Sequence, residues 1–167
     1  MLENGWGIDG RVIARTAYPI TLLGTLLSDP GNGSQYYTNL NLVPNEPIYL
    51  YGAAYPGGKA INRAAFQTPT GTNTGDAPRN FVRGFGESQV NFAARREFAF
   101  SERTHLQFRA EAFNIFNHPT FGYVDPTITD ATFGQATMTL NQSLGNVASQ
   151  YQQGGPRSMQ FALHLAF

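Results

Sequence analysis

The sequence predicts an all-β protein built from long antiparallel strands. Several stretches alternate strictly between apolar and polar residues, the period-2 pattern of a strand with two unlike faces. The 167 residues include 18 Gly and 10 Pro, which interrupt most windows long enough for a helix. Charged residues make up 13%, against about 25% in an ordinary soluble domain, and aromatic residues are equally abundant at 13%. One charge-poor, aromatic β-domain is therefore expected.

The alternation predicts four strands, each on its own evidence. Residues 6–18 carry mostly apolar side chains at even positions and charged ones at odd positions. Residues 82–100 and 104–117 alternate on both sides of Ser101–Thr104, a polar break of hairpin-loop length, so they are expected to pair antiparallel. Residues 157–167 alternate as far as an aromatic C-terminal residue. Every strand is thus expected to have one apolar face and one polar face.

Two environments account for strands of this kind. In an outer membrane β-barrel the apolar face meets lipid and the polar face lines the lumen, whereas in a soluble secreted β-sandwich the apolar faces pack together. Strands of about ten residues or more, aromatic side chains near strand ends and a heavily charged polar face favour the barrel. The sandwich, as a binding or adhesion domain, stays open as the alternative.

The barrel interpretation assigns a set of lumen-facing residues to the polar face: Arg95, Glu97, His105, Gln107, Arg109, Glu111 and His164. Alternating Arg and Glu on neighbouring strands predict cross-strand ion pairs rather than acid–base catalysis. Arg96 instead falls on the apolar face, where a charge is costly in the middle of a bilayer. We expect Arg96 to extend to the nearby interface or to be turned away by a β-bulge.

The segments between the strands are rich in Gly, Pro, Asn, Thr and Tyr. Because outer membrane barrels place long connections outside the cell, 19–80 and 118–156 are expected to be extracellular loops, and Ser101–Thr104 a periplasmic turn. Phe133–Asn141 has some strand character and is expected to form a hairpin within the second loop. The first loop contains candidate ligand contacts, although no ligand can be named: Tyr36, Tyr37, Tyr49, Tyr51 and Tyr55.

Four strands are too few for a closed barrel. Bacterial single-chain barrels have about eight strands or more, and an open sheet edge in lipid leaves backbone groups without partners. The chain is therefore expected to be an incomplete barrel: a fragment of a longer protein or, as the less favoured alternative, a unit that assembles with other copies of itself. Its first ten residues lack the basic and apolar regions of a signal peptide, and no apolar run approaches the length of a transmembrane helix.

Composition and spacing argue against several other functions. A formal net charge of zero disfavours nucleic-acid binding, and the absence of Cys removes thiolate chemistry and Cys-ligated metals. His105, His118 and His164 lack the spacing of a metal site. No segment matches a phosphate-binding loop or a G-x-S-x-G nucleophile. Neither an enzymatic activity nor a cofactor is expected.

Three parts of the sequence resemble one family. Glu102–Phe121, which reads ERTHLQFRAEAFNIFNHPTF, resembles the penultimate strand of TonB-dependent outer membrane receptors, most nearly the Oar-like group with a carboxypeptidase-regulatory-like domain. Asn62–Phe66, Gly75 and Arg79–Gly84 resemble the segment ahead of it, although the family's Arg-Gly-Pro-Gly reads Arg-Gly-Phe-Gly here. Gly154–Arg157 and the strand after it resemble the closing strand of the family.

The resemblance implies a fold, a location and partners. Members of the family resemble barrels of about 22 strands plugged by an N-terminal domain, and they import scarce or large solutes with the inner-membrane TonB complex. The implied location is the bacterial outer membrane. The implied partners are outer-membrane lipid, the rest of the barrel with its plug, and the TonB complex through an N-terminal part that this chain lacks. Alternating residues at the C-terminus resemble the signal read by the barrel-assembly machinery: Phe161, Leu163, Leu165 and Phe167.

Overall fold

The computed structural model describes residues 5–71, 73–144 and 153–167. Helices in these residues are confined to 3-10 turns at Pro56–Gly58 and Arg63–Ala65 and to the four-residue α1 (Leu140–Ser143), which confirms the predicted all-β class. None of these helices is long and apolar enough to cross a membrane. The strands are β1 (Trp6–Arg15), β2 (Pro19–Ile20), β3 (Leu26–Ser28), β4 (Gln35–Tyr37), β5 (Asn41–Leu42), β6 (Tyr49–Tyr51), β7 (Lys59–Ile61), β8 (Phe66–Gln67), β9 (Val82–Arg83), β10 (Glu87–Ala99), β11 (His105–Phe113) and β12 (Ser158–Ala166).

The four long strands form one antiparallel sheet in the order β1-β10-β11-β12, which we call the main sheet. It is an up-and-down meander, the topology of a barrel wall, and within the described residues it is open at β1 and β12. A tight turn joins β10 to β11: Phe100 N donates to Thr104 O (2.9 Å), and Thr104 N donates to Ser101 Oγ (3.1 Å). The connections from β1 to β10 and from β11 to β12 are long, and both begin at the end of the sheet opposite this turn. The fold is therefore the expected incomplete barrel.

Two of the long strands end earlier than the sequence predicts. β1 ends at Arg15 rather than at residue 18, and the chain then leaves the sheet. β11 ends at Phe113 rather than at residue 117, because Asn114 adopts a left-handed φ of 51° that a strand does not accommodate. Asn tolerates this conformation better than most residues, so the strand stops at the first position able to turn.

The strand predicted over 82–100 is interrupted. The structure divides it into β9, which pairs with β2, and β10, which begins at Glu87. The break lies at Gly84–Gly86, where a Cβ on Gly84 would lie 2.8 Å from the ring of Tyr18. Gly84 N donates to Tyr18 O at 2.9 Å, so the chain turns toward Tyr18 instead of continuing the strand.

Residues 16–86 and 121–139 form a compact unit of their own, which we call the loop unit. The sequence predicts irregular loops over most of it, but the structure builds four two-stranded sheets: β2 with β9, β3 with β4, β5 with β8, and β6 with β7. These strands are two or three residues long, too short for a period-2 pattern to stand out. They enclose a buried apolar cluster: Ile20, Leu22, Leu40, Ile61, Ala65, Phe66, Ala77, Val82, Val124, Ile128, Phe133 and Ala136.

Arg63 connects distant parts of the loop unit. Its guanidinium donates hydrogen bonds to Ile128 O and Asp130 O. Its Cζ also lies 5.3 Å from the ring centroid of Phe133, within the range of a cation–π contact. The preceding Asn62 is buried and its side chain caps the 3-10 turn that begins at Arg63. These contacts give a structural reason for the Asn-Arg pair in this part of the sequence.

The hairpin predicted at Phe133–Asn141 lies further toward the N-terminus than expected. Two antiparallel bridges join its arms, one between Phe121 and Thr139 and the other between Val124 and Ala136. The sequence pattern marks only the second arm, since the first arm has no alternation of its own. The position of the hairpin therefore depends on pairing that a single arm does not reveal.

The ionisation of Tyr18 is expected to change the stability of the loop unit. Tyr18 Oη donates to Gly122 O, and burial raises the pKa of Tyr18 above its ordinary 10.0. At pH values above 10.0 the phenol ionises in the unfolded chain but stays neutral in the folded unit, so the free energy of unfolding falls as the pH rises.

As the pH rises from about 9.5 to 11, the free energy of unfolding measured with denaturant should therefore fall less in Tyr18→Phe than in the wild type. Tyr51→Phe, at an exposed position, is the control; equal slopes for the wild type and Tyr18→Phe would contradict the prediction.

Candidate functional site

The polar face of the main sheet is the candidate functional site. The four strands pair in continuous register, so residues directly opposed on neighbouring strands share a face. This register brings all the residues predicted to line a lumen to one face: Arg95, Glu97, His105, Gln107, Arg109, Glu111 and His164. That this face borders a lumen stays a prediction.

Charge pairing on the polar face agrees only in part with the cross-strand pairs that the sequence predicts. Arg109 pairs with Glu111 on the same strand, with Nη2 2.6 Å and Nε 2.8 Å from Oε1. The residue opposite Arg109 on β10 is Arg95, so two like charges are opposed. A cross-strand pair of the expected kind joins Arg15 on β1 to Glu87 on β10, with Nε 3.7 Å from Oε2. His105 Nδ1 also lies 3.3 Å from Glu97 Oε1, and this contact is an ion pair only when the imidazole is protonated. The alternation of side chains along a strand therefore predicts the face on which each charged residue lies but not the residue with which it pairs.

A shallow pocket lies at the centre of the polar face, over Ala93. Ala93 is 8% exposed and stands in register between Asp9 on β1 and Glu111 on β11. Arg11, Arg109, Phe92 and Phe113 also line it. Most of the lining surface is apolar, with the charged groups of Asp9, Arg11, Arg109 and Glu111 among it, which suits a solute that has an apolar part. The described residues contain no group of three or more His, Cys, Asp or Glu placed to hold a metal ion.

A buried hydrogen-bond cluster lies on the same face at the end opposite the tight turn, and the sequence analysis missed it. Asn91 Oδ1 accepts from Gln89 Nε2 at 2.7 Å and from Asn114 N at 3.0 Å. Gln89 Oε1 accepts from Gly154 N at 2.7 Å. Asn114 Nδ2 donates to Gly155 O at 2.7 Å. These amide side chains hold part of the β11–β12 connection against the polar face.

Glu87 extends this cluster along β10. Its side chain is 3% exposed, and Oε2 lies 3.7 Å from Arg15 Nε. The same oxygen accepts from Gln153 Nε2 at 2.9 Å, whereas Oε1 has no hydrogen-bond partner among the described residues. Glu87 thus anchors the connection through one carboxylate oxygen.

The apolar face carries the side chains expected to meet lipid and to signal barrel assembly. On the edge strand β12, Phe161, Leu163 and Leu165 are 67%, 71% and 55% exposed, and the terminal Phe167 is 95% exposed. A soluble β-sandwich covers its apolar face with a second sheet, so this exposure favours a lipid-facing surface. The role of these four residues in assembly stays a prediction.

Arg96 lies on the apolar face without a β-bulge. The register runs one-to-one from Trp6 through Arg96 to Phe108, so the expectation that a bulge turns Arg96 away is wrong. The guanidinium carbon lies 4.9 Å from the ring centroid of Trp6 and 4.7 Å from that of Phe98. These cation–π contacts offset part of the cost of holding a charge on an apolar surface.

The tyrosines predicted as ligand contacts lie on two hairpins of the loop unit: Tyr36, Tyr37, Tyr49, Tyr51 and Tyr55. Tyr36 and Tyr37 in β4 and Tyr51 in β6 are exposed. Tyr49 has a structural contact, because its Oη accepts from Arg83 N at 2.7 Å. The exposed three are therefore better placed than Tyr49 to contact a ligand.

Comparison with known proteins matches the chain to one family. The family model described as "outer membrane beta barrel domain" matches residues 1–160. Neither a curated protein nor a solved structure matches the chain. The family match agrees with the meander of long strands and with the exposed apolar face. The chain therefore belongs to the outer membrane beta barrel domain family, and it is a protein of the bacterial outer membrane.

Proposed function

We propose that this chain forms the C-terminal strands of a TonB-dependent outer membrane transporter that takes up an unidentified solute. The proposal depends on the charged polar face of the main sheet. The sheet is open, because its edge strands β1 and β12 each have one neighbour in the described residues. Further strands at these edges would complete a barrel and make this face the wall of an aqueous path. The resemblance of Glu102–Phe121 and Asn62–Phe66 to that receptor family supports the proposal.

Different parts of the chain would take different roles in transport. The mostly apolar pocket over Ala93 would contact the solute inside the barrel. The exposed Tyr36, Tyr37 and Tyr51 of the loop unit would make first contact with the solute, since aromatic side chains adapt to many ligands. The proposal assigns no catalytic group.

The proposal also implies partners. Lipid meets the apolar face of an outer membrane barrel. The barrel-assembly machinery would read the closing strand that ends at Phe167. The remaining strands, the plug and the TonB complex would act through parts of the transporter outside this sequence.

Gene deletion and a pocket-filling variant test the proposed function together. Loss of the gene should reduce growth when one class of scarce solute is limiting, and loss of TonB should give the same defect. A gene copy with Ala93→Trp should reach the outer membrane at the normal level but fail to restore uptake, because the indole fills the pocket. The matched control is Ala94→Trp, which places the same side chain on the apolar face and should restore uptake.

Two outcomes would contradict the proposal. One is a strain that grows normally without the gene on every solute tested. The other is uptake that depends on the gene but continues without TonB, which would indicate a passive outer membrane channel. Equal uptake by Ala93→Trp and Ala94→Trp would leave TonB dependence intact and exclude the pocket as the solute contact.

A further inference from the structure

Arg96 interrupts an uncharged surface. The other side chains that share its face in β1, β10, β11 and β12 carry no charge. Because the chain is an outer membrane barrel protein, this face meets lipid. A guanidinium there needs an explanation that the transport path, on the opposite face, does not supply.

The hydrogen-bonding groups of Arg96 are unused within the described residues. The guanidinium carbon lies over the rings of Trp6 and Phe98, which are cation–π partners and not hydrogen-bond acceptors of the usual kind. The described residues provide Arg96 with neither an ion pair nor a hydrogen bond, whereas Arg109 on the polar face pairs with Glu111. The five N–H donors of the guanidinium are therefore left for an acceptor outside these residues.

The position of Arg96 along the strand limits where that acceptor lies. β10 ends at Ala99, three residues beyond Arg96, so about 10 Å of strand separates it from the tight turn. Short turns of outer membrane barrels face the periplasm. A charged side chain is tolerated near a membrane interface and not at mid-bilayer, so the acceptor belongs to the periplasmic headgroup region.

We propose that Arg96 binds the phosphate of a glycerophospholipid in the periplasmic leaflet of the outer membrane. The guanidinium fork matches two phosphate oxygens, and the contacts with Trp6 and Phe98 keep the guanidinium at this place on the sheet. The acyl chains would lie on the adjoining apolar surface, where Phe108 and Phe161 stack with centroids 6.2 Å apart. Trp6 then lies at the headgroup depth where Trp is enriched in membrane proteins. This site does not depend on the transport proposal.

Lipid retention by the full-length protein tests the site. After extraction from nanodiscs containing phosphatidylglycerol, native mass spectrometry should detect a bound phospholipid on the wild type. Arg96→Gln should reduce its occupancy by about threefold or more, and Arg96→Lys should be intermediate because an ammonium lacks the fork. Arg103→Gln is the matched control, since Arg103 is an exposed arginine in the adjacent turn. Equal retention by the wild type and Arg96→Gln, or an equal loss in Arg103→Gln, would overturn the proposal.

Competing ligands identify the source of the phosphate. Diacylglycerol, which has the acyl chains without the phosphate, should not replace phosphatidylglycerol at this site. Millimolar inorganic phosphate should not displace it, because the apolar contacts are then missing. Displacement by inorganic phosphate alone would show an ion site and not a lipid site. Preferential displacement by lipopolysaccharide would overturn the assignment to the periplasmic leaflet.

The depth of the Arg96 site in the membrane can be measured without replacing Arg96. Trp6 is the single tryptophan of this chain, so its fluorescence reports on the Arg96 site once any tryptophan elsewhere in the full-length protein is replaced by Phe. Spin labels on lipid headgroups should quench Trp6 more strongly than labels at the middle of the acyl chain. Stronger quenching by the mid-chain label would place Arg96 too deep to reach a phosphate and would overturn the proposal.

Discussion

Gly134→Ala is expected to destabilise the loop unit by about 3–5 kcal/mol. Gly134 has a φ of +76°, and a Cβ there would lie 2.4 Å from Ile61 O. Ile61 is 4% exposed, and its N–H donates to Gly134 O at 2.8 Å. The hairpin arm must therefore move away from β7 and lose this hydrogen bond. Denaturant unfolding measures the loss, and faster hydrogen exchange of the Ile61 amide locates it.

Gly33→Ala is the matched control for this prediction. Gly33 has a similar φ of +72°, but a Cβ there would have no atom within 4 Å. The substitution therefore introduces the backbone strain without the clash, and it should cost about 1–2 kcal/mol. If both variants lost the same stability, the clash of a Cβ at position 134 with Ile61 would not contribute to the loss.

Leu163→Arg is expected to destabilise the complete barrel by about 2–4 kcal/mol when it is folded into lipid vesicles. Leu163 lies near the middle of β12, is 71% exposed and faces away from the charged side of the sheet. An arginine there must enter the hydrocarbon region at the depth where a charge costs most. Urea unfolding from the vesicles measures the difference from the wild type.

Gln160→Arg provides the comparison, because Gln160 lies on the polar face of the same strand. It stands opposite Glu111, so a new guanidinium there would have a carboxylate nearby. Its loss of stability should be much smaller than that of Leu163→Arg. Similar losses in the two variants would mean that the lipid-facing and polar faces have been assigned wrongly.

The faces of the long strands could be predicted from the sequence because side-chain alternation is a local property. Arg95 and Arg96 are neighbours in the chain, yet parity alone places them on opposite faces of the sheet, and the register agrees. The tight turn could be predicted in the same way, since Ser101–Thr104 separates two alternating stretches. Alternation does not predict which charged residues pair with each other, as the contact between Arg109 and Glu111 on the same strand shows.

The buried amide cluster on the polar face could not be predicted in this way. The hydrogen bond from Gly154 to Gln89 joins residues 65 positions apart, and nothing near either residue indicates the other. An available signal was the run of polar residues at alternate positions from Glu87 to Asn91, which reads equally well as a solvated face. The burial of these residues is decided by the connection that covers them.

The all-β class, the two faces of each long strand and the turn that pairs β10 with β11 can all be predicted from the order of the residues. The packed core in the long connection after β1, the start of β10 at Glu87 and the contacts of Arg96 with two rings become visible in the folded chain. The two groups of features differ in the range of the interactions that form them. Alternation within one strand is visible in neighbouring residues, whereas a strand of two or three residues exists only through a partner far along the chain.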